Sequence, residues 1–102
     1  MRLIVLFDLP VNTKANRRRY QQFHKFLVKD GYTMMQFSVY SRITDGLDGV
    51  EKHLGRLRAN VPSKGNVRVM IVTERQYASM SFLVGRPSRQ EEKVGAQLQL
   101  WL

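Results

Sequence analysis

Asp8 is the only acidic side chain among residues 1–29, and it is the residue best suited to metal chemistry. It ends a short apolar run, Arg2–Asp8, that predicts a buried central strand, so its carboxylate should project at the end of that strand, where functional groups commonly lie. Magnesium binds one or two protein carboxylates together with water and phosphate oxygens, so one Asp8 per chain is too few. A two-fold dimer would supply a second copy of any residue near its axis. The alternative is that Asp8 caps a turn near Asn12.

Basic side chains are the second group with a possible chemical role. The chain holds 17 lysines and arginines against 8 acidic residues, a formal net charge of +9. This imbalance favours polyanions, because binding releases their counterions, and nucleic acid is therefore the leading partner class. The candidate phosphate-binding residues are Lys14, Arg17, Arg18, Arg19, Lys25 and Lys29 on one predicted helix, with Arg42, Lys52 and Arg56 further along. The alternative is a basic surface that binds no ligand.

Residues that the sequence lacks exclude several classes of function. It contains no cysteine, which excludes disulfides, thiolate metal sites and cysteine nucleophiles and suits a cytoplasmic protein. Its longest apolar stretch, Leu3–Phe7, is far shorter than the ~20 residues that cross a bilayer, so we expect no membrane partner. Its two histidines, His24 and His53, both fall on predicted helices, where neither is well placed for nucleophilic catalysis.

The predicted elements that position these residues follow the order strand, helix, extended segment, helix, strand. The expected bounds are a strand over Arg2–Asp8, a helix from Lys14 to a cap at Gly31, extended structure over Tyr32–Ile43, a helix to Asn60, and strands over Val67–Thr73 and Ser81–Val84. The middle segment is either one long strand or two strands folded against each other. When it is split, the order is that of an α+β, ferredoxin-like βαββαβ sandwich, an antiparallel sheet with two helices on one face.

Two aromatic residues of the middle segment are candidates for stacking on nucleic-acid bases. Phe37 and Tyr40 lie on opposite parities of the segment, so at most one of them belongs to an exposed face. The strand motif of RNA-recognition domains, which alternates glycine with aromatic residues, is missing from the sequence. Packing in the core is therefore the interpretation we adopt for both.

The C-terminal residues 86–102 form a tail after a ferredoxin-like domain over 1–85. After a polar stretch, Ala96, Leu98, Leu100 and Leu102 alternate with Gln97, Gln99 and Trp101. This period of two predicts an extra C-terminal strand that adds to a sheet edge of its own subunit or of a partner, with Leu98, Leu100 and Trp101 as docking residues. The alternative is a frayed terminus or a short helix. A domain this small is marginally stable alone, so we expect it to form an oligomer.

Several short motifs occur together along residues 1–85. They are Phe7-Asp-Leu-Pro10, Asn16-Arg-Arg-Arg-Tyr20, Phe23-His-Lys-Phe-Leu27, Gly31-Tyr-Thr-Met-Met-Gln-Phe-Ser-Val-Tyr40 and Val72-Thr-Glu-Arg-Gln-Tyr77. In this order they resemble the small CRISPR-associated subunit of the spacer-acquisition complex, the second core Cas family. The details are most similar to the versions that accompany Cas9-type systems, and the tail matches only as a variable segment.

The resemblance implies a homodimer held between dimers of the larger integrase subunit, with basic surfaces that support the duplex of the incoming DNA. It also implies a magnesium-dependent endonuclease, whose catalytic and metal-binding residue matches Asp8 and comes from both protomers at the dimer interface. By the same resemblance, the tail would complete the partner's sheet or dock the integrase. Phe7 stands where many relatives have tyrosine, which removes a hydroxyl group from beside Asp8.

Two hypotheses from different classes follow. We favour a DNA-binding scaffold in spacer integration for antiviral defence, which uses the basic faces and the docking tail. The alternative is a magnesium-dependent endonuclease that acts on RNA or DNA through a pair of Asp8 carboxylates.

Overall fold

The computed structural model describes residues 1–101, with side chains described as far as Gln97. Its elements are β1 (Arg2–Asp8), α1 (Lys14–Lys29), β2 (Thr33–Gln36), β3 (Val39–Ile43), α2 (Gly46–Asn60), β4 (Asn66–Val72), α3 (Glu74–Ala78) and α4 (Arg89–Trp101). The four strands form one antiparallel sheet in the order β2-β3-β1-β4. This arrangement confirms the predicted ferredoxin-like βαββαβ fold, and the middle segment is two strands. Within the described residues, no helix is long and apolar enough to cross a membrane.

The core lies between α1, α2 and one face of the sheet. Alternate residues of β1, namely Leu3, Val5 and Phe7, are buried there together with side chains of both helices. The Phe7 ring packs edge-on against Phe23 of α1, with ring centroids 5.2 Å apart, and stacks on Tyr40 of β3 at 5.7 Å. Since side chains alternate along a strand, this burial turns the neighbouring Asp8 to the opposite face of the sheet.

The bounds of α1 follow from local signals at both of its ends. Thr13 precedes the helix in an extended conformation, and its hydroxyl accepts a hydrogen bond from the backbone N–H of Asn16 at 3.1 Å. This cap satisfies one of the free N–H groups at the start of the helix. Gly31 follows the other end with a φ angle of 86°, a conformation that glycine adopts without steric cost. The prediction of a helix from Lys14 to a glycine cap is confirmed.

An ionic cluster joins the C-terminal end of α1 to α2. The buried His53 ring donates from Nδ1 to Asp30 Oδ2 at 2.9 Å, and Arg56 donates from Nη1 to Asp30 Oδ1 at 2.7 Å. Burial alone raises the pKa of Asp30, but hydrogen bonds and charge from His53 and Arg56 outweigh that effect, so its pKa lies below the ordinary value of 3.8. His53 is therefore a structural residue that fixes the two helices to each other.

The lowered pKa of Asp30 makes the stability of the fold depend on pH. Its ionised form is favoured by folding, so this contribution is present above 3.8 and is lost as the pH falls through the lower pKa of the folded state. We expect Asp30→Asn to reduce the free energy of unfolding by about 2 kcal/mol at neutral pH. Urea titrations should show that the difference in unfolding free energy between the variant and the wild type shrinks as the pH falls below 3.8. Equal stability of the two proteins at neutral pH would contradict this account, and the exposed Asp48→Asn is the matched control.

The turn between β2 and β3 consists of Phe37 and Ser38. Tyr40, just after the turn, is 2% exposed and lies in the core as predicted, but Phe37 is 78% exposed. The prediction that Phe37 packs in the core is therefore wrong. The physical reason is that the chain reverses at this residue, so the alternation of a single long strand does not extend through it.

The C-terminal region differs from both strand predictions. Residues 81–84 form no strand in the structure, and the predicted tail strand is wrong because residues 89–101 form α4. Ser88 caps this helix by accepting from the Glu91 backbone N–H at 3.1 Å, while the Glu91 carboxylate accepts from the Ser88 N–H at 3.0 Å. This reciprocal pair is a capping box, a local signal for the start of a helix. It does not depend on the alternation of apolar and polar residues later in the tail. The side chains of Leu98, Leu100 and Trp101, and all of Leu102, lie outside the part of the chain that is described.

The tail packs against the edge strand β2 of its own chain. Ser88 Oγ donates to the Met34 carbonyl at 2.6 Å, and the Met34 N–H donates to Gln90 Oε1 at 2.8 Å. These two bonds satisfy backbone groups that an exposed edge would otherwise offer to another strand. Docking of the tail on a partner or on a dimer mate stays a prediction.

Candidate functional site

Asp8 is the last residue of β1, and its side chain is exposed on the sheet face opposite α1 and α2. Among the described residues, no hydrogen bond or ion pair involves its carboxylate. The alternative role of Asp8 as a turn cap is not observed, because no hydrogen bond in the described part of the chain reaches its carboxylate. The Asn12 side chain accepts a hydrogen bond from the Asn16 side-chain amide at 2.9 Å. A strand end thus presents an unpaired carboxylate to solvent, which leaves it available for a metal ion or a proton.

A shallow cleft of about 330 Å³ surrounds Asp8 and is lined by Leu6, Phe7, Asn66 and Arg68. Asn66 faces Asp8 across the β1–β4 ladder, and Arg68 faces Leu6. Directly opposed residues in an antiparallel pair project from the same face, so the Asn66 amide and the Arg68 guanidinium lie on the Asp8 side of the sheet. The cleft therefore combines one anionic, one neutral polar and one cationic group, a set that suits a phosphate with a bound cation.

Gly65 packs directly against the backbone of Asp8. Its φ angle is +89°, and a Cβ atom placed on it would lie 2.6 Å from the Asp8 carbonyl oxygen and 2.8 Å from Leu9 Cδ2. Both the conformation and the contact distance exclude other residues without a backbone shift. The loop before β4 thus fits closely over the end of β1 and fixes where the Asp8 side chain begins.

The described residues of one chain do not form a complete metal centre. They include no group of three or more histidine, cysteine, aspartate or glutamate side chains that could hold a metal ion. Asp8 supplies one hard carboxylate oxygen donor, and the Asn66 amide oxygen is a second donor of the kind that magnesium accepts. The residues present therefore fit half of a magnesium site, and a second copy of the chain would supply the other carboxylate.

The basic residues of α1 lie on its outer surface. Lys14, Arg17, Arg18, Lys25 and Lys29 are exposed, and Arg19 is partly buried. Arg17 donates from Nη1 to the Val11 carbonyl at 3.2 Å, which holds its charge beside the loop that follows Asp8. Arg19 donates to the Asn16 side chain at 2.8 Å. The other basic side chains of α1 are exposed to solvent, where they can contact phosphate groups.

The family model described as CRISPR associated protein Cas2 matches residues 1–80. A CRISPR-associated endoribonuclease Cas2 from Acidovorax ebreus (strain TPSY) is 59% identical over 96 residues, 94% of each chain. The chain belongs to the Cas2 family. A second Cas2 endoribonuclease, from Parvibaculum lavamentivorans, is 40% identical over 101 residues, 99% of this chain and 100% of that relative.

A solved Cas2 structure supports the fold. The crystal structure of Streptococcus pyogenes Cas2 at pH 6.5 matches this chain with a TM-score of 0.59 at 23% sequence identity, covering 82% of this chain and 100% of that one. Both chains therefore share the ferredoxin-like arrangement. The resemblance to the second core Cas family, predicted from the sequence motifs, is confirmed.

Two of the predicted phosphate-binding residues of this Cas2 chain, Arg42 and Arg56, form hydrogen bonds within the fold. Arg42 donates from Nε to the Asp30 carbonyl at 2.7 Å and from Nη1 to the Ile43 carbonyl at 2.6 Å, so much of its hydrogen-bonding capacity is used within the fold. Arg56 is paired with Asp30, but half of its side chain is exposed. It shares a cleft of about 520 Å³ with Lys25 and Lys29. Lys52 is exposed on α2.

Sequence reasoning missed Gly65, Asn66 and Arg68 as parts of the Asp8 site. The signal for two of them was present, because Asn66 and Arg68 alternate with valines along β4 and so belong to one face. What the sequence did not show is the register that places them beside Asp8. The close approach of Gly65 to the end of β1 is a tertiary contact, which the sequence alone does not reveal.

We expect Gly65→Ala to destabilise the end of β1. The added Cβ has to displace the backbone of Asp8 or of Leu9, and alanine is strained at positive φ, so the free energy of unfolding should fall by about 2 kcal/mol. Amide chemical shifts should change most at Asp8 and Leu9. Gly55→Ala is the matched control, because nothing lies within 4 Å of a Cβ there and it should stabilise α2 slightly. Unchanged stability and unchanged amide shifts in Gly65→Ala would contradict the close approach.

Proposed function

We propose that this Cas2 protein is a magnesium-dependent endonuclease that cleaves RNA with two copies of Asp8, one from each protomer of a homodimer. The observation that carries the proposal is the unpaired Asp8 carboxylate at the end of β1, exposed beside Arg68. Relatives at 59% and 40% identity are named CRISPR-associated endoribonucleases, which supports nuclease activity and RNA as the substrate.

The sheet face that carries Asp8 supports the homodimer. Leu6 and Met70 belong to this face by their strand register and are 36% and 50% exposed. The helices α1 and α2 cover the other face, so a second copy can pack against the Asp8 face without displacing them. A two-fold axis through this face would bring each Asp8 towards its own copy. The dimer then both buries apolar area and completes the site.

The chain's own residues have defined roles in this proposal. The two Asp8 carboxylates would hold the magnesium ion, which when bound polarises a phosphoryl oxygen and lowers the pKa of water. Arg68 would bind a non-bridging phosphate oxygen and place the phosphodiester beside the carboxylates. Gly65 would fix the backbone of Asp8, and the exposed Arg17 at the following loop would bind the next phosphate along the strand.

The proposal is tested by cleavage of end-labelled RNA by the purified protein. We expect cleavage in the presence of Mg²⁺, a loss of at least about tenfold on chelation with EDTA, and recovery when Mg²⁺ is added in excess. The activity should follow the dimer peak in size-exclusion chromatography. Cleavage that resists EDTA, or that separates from the protein peak, would contradict the proposal.

A second function, a DNA-binding scaffold in the spacer-acquisition complex, is supported by a different observation. Apart from Arg17, which lies beside the loop that follows Asp8, the exposed lysines and arginines of α1 lie on the helical side of the molecule, away from the Asp8 face. A row of cations on a rigid helix suits sequence-independent contact with a duplex backbone. In this role the dimer would lie between integrase dimers, and the tail would dock the integrase. Scaffold and nuclease use different faces, so one protein can perform both functions.

A further inference from the structure

Phe37 is an exposed aromatic residue at the tip of the β2–β3 turn. Its side chain is 78% exposed, although phenylalanine usually avoids water. The following residue, Ser38, has a φ angle of 65°, which costs a residue other than glycine conformational energy. Phe37-Ser38 is also not one of the dipeptides that short hairpin turns favour. Local folding therefore does not explain why a large ring stands at this position.

The turn lies at the same end of the sheet as Asp8. The carbonyl of Ser38 accepts a hydrogen bond from the backbone N–H of Phe7 at 3.1 Å, and Val39 pairs with Leu6. The ring of Phe37 is thus carried on a backbone that is bonded to the residue immediately before Asp8. Because β1 is buried and paired on both sides, this attachment is rigid.

Cationic groups flank the same end of the sheet. Arg68 lines the Asp8 cleft on the β4 side, and Arg17 is held by Val11 in the loop that follows Asp8. An exposed ring and cations at one end of a sheet form the combination by which proteins bind single-stranded nucleic acid, since the cations bind the backbone while a base stacks on the ring. A base in a duplex is already stacked on its neighbours, so it does not offer a free face.

We infer that Phe37 is a specificity residue that stacks on an unpaired base of the RNA whose backbone lies at Asp8. This inference rests on the proposed nuclease function. It adds a physical reason why the site would bind single-stranded RNA in preference to a duplex. Phe37 selects single-stranded over double-stranded nucleic acid, whereas the exposed cations of α1 bind either. A second copy of the chain is the competing occupant of the ring, and the experiment separates the two.

The test measures binding in the Asp8→Asn background with EDTA, so that cleavage plays no part. The single tryptophan, Trp101, is first replaced by phenylalanine, and Phe37→Trp then supplies a fluorescent probe at the turn. We expect a short single-stranded RNA to quench this fluorescence saturably and duplex DNA to quench it little. In chains without the probe, Phe37→Ala and Phe37→Leu should weaken RNA binding about tenfold, with duplex DNA affinity unchanged. Phe37→Leu keeps apolar bulk but lacks the ring.

Leu83→Ala is the matched control, because Leu83 is 94% exposed but lies outside the turn; it should bind RNA like the wild type. RNA affinity of Phe37→Ala within twofold of the wild type would overturn the inference. So would a loss of dimer in sedimentation that accounts for the loss of RNA binding, because Phe37 would then be a dimer contact. Failure of the nuclease proposal would give a different result, namely RNA cleavage that persists in Asp8→Asn. The binding titrations would still measure the contribution of Phe37, because they do not depend on cleavage.

Discussion

Asp8→Asn is expected to lower the rate of RNA cleavage at least about 100-fold, because it removes the charge that would hold magnesium or accept a proton. The fold should persist, since the Asp8 side chain is exposed and no hydrogen bond to it is found among the described residues. We expect unchanged circular dichroism, an unchanged unfolding midpoint and an unchanged dimer mass. The substitution keeps the size of the side chain, so a loss of cleavage reports on its charge.

The control for this prediction is Asp48→Asn, which makes the same chemical change at an exposed site in the first turn of α2. It should cleave RNA at the wild-type rate. Single-turnover kinetics with saturating protein separate binding from cleavage, and the loss in Asp8→Asn should lie in the cleavage step. If the variant cleaves as fast as the wild type, the activity belongs to another residue or to a contaminant.

The double reversal Arg18→Glu with Lys25→Glu is expected to abolish binding to duplex DNA. The two residues are seven positions apart on α1, which places them on one face of the helix, and both are exposed. Reversing them replaces two attractions for phosphate by two repulsions. Fluorescence anisotropy should show a loss of affinity of at least about 100-fold and a smaller salt dependence, with the slope of log K against log salt reduced by about two.

A matched control is the reversal of Arg75 and Lys93, two exposed cations on α3 and α4 that give the same change in net charge. If the α1 face is the duplex site, this control should lose much less affinity than Arg18→Glu with Lys25→Glu. Equal losses in both double variants would mean that only the overall charge matters. If the α1 variant binds duplex DNA with unchanged affinity at every salt concentration, the α1 face is not the duplex-binding surface.

The sheet and its two long helices could be predicted because their signals are local. The run Arg2–Asp8 is apolar throughout, and Thr13 and Gly31 mark the ends of α1. The tail could not be predicted from its alternation of leucine and glutamine, because a period of two over a few residues is weaker than the capping box of Ser88 and Glu91. Residues 81–84 have strand-forming side chains, but a strand needs a neighbouring edge, which the sequence does not specify.

Only part of the candidate site could be predicted, because some of its residues are placed by local signals and others by long-range contacts. Asp8 was identified because its position follows from one strand and its chemistry from one side chain. Arg68 and Gly65 reach it through the register of β4 and a close backbone contact, which are long-range features. Arg42 was grouped with the phosphate-binding residues by charge alone, but its hydrogen bonds to the Asp30 and Ile43 carbonyls show a structural role.

In the proposed nuclease, two copies of the chain complete one metal site with their Asp8 side chains. A crystal structure grown with Mn²⁺ in place of Mg²⁺ would test this arrangement, because manganese gives an anomalous signal that locates the ion. We expect a two-fold dimer packed through the sheet faces that carry Leu6 and Met70, with the anomalous peak between the two Asp8 carboxylates. A monomer, or a dimer whose Asp8 carboxylates are far apart with no metal between them, would contradict it.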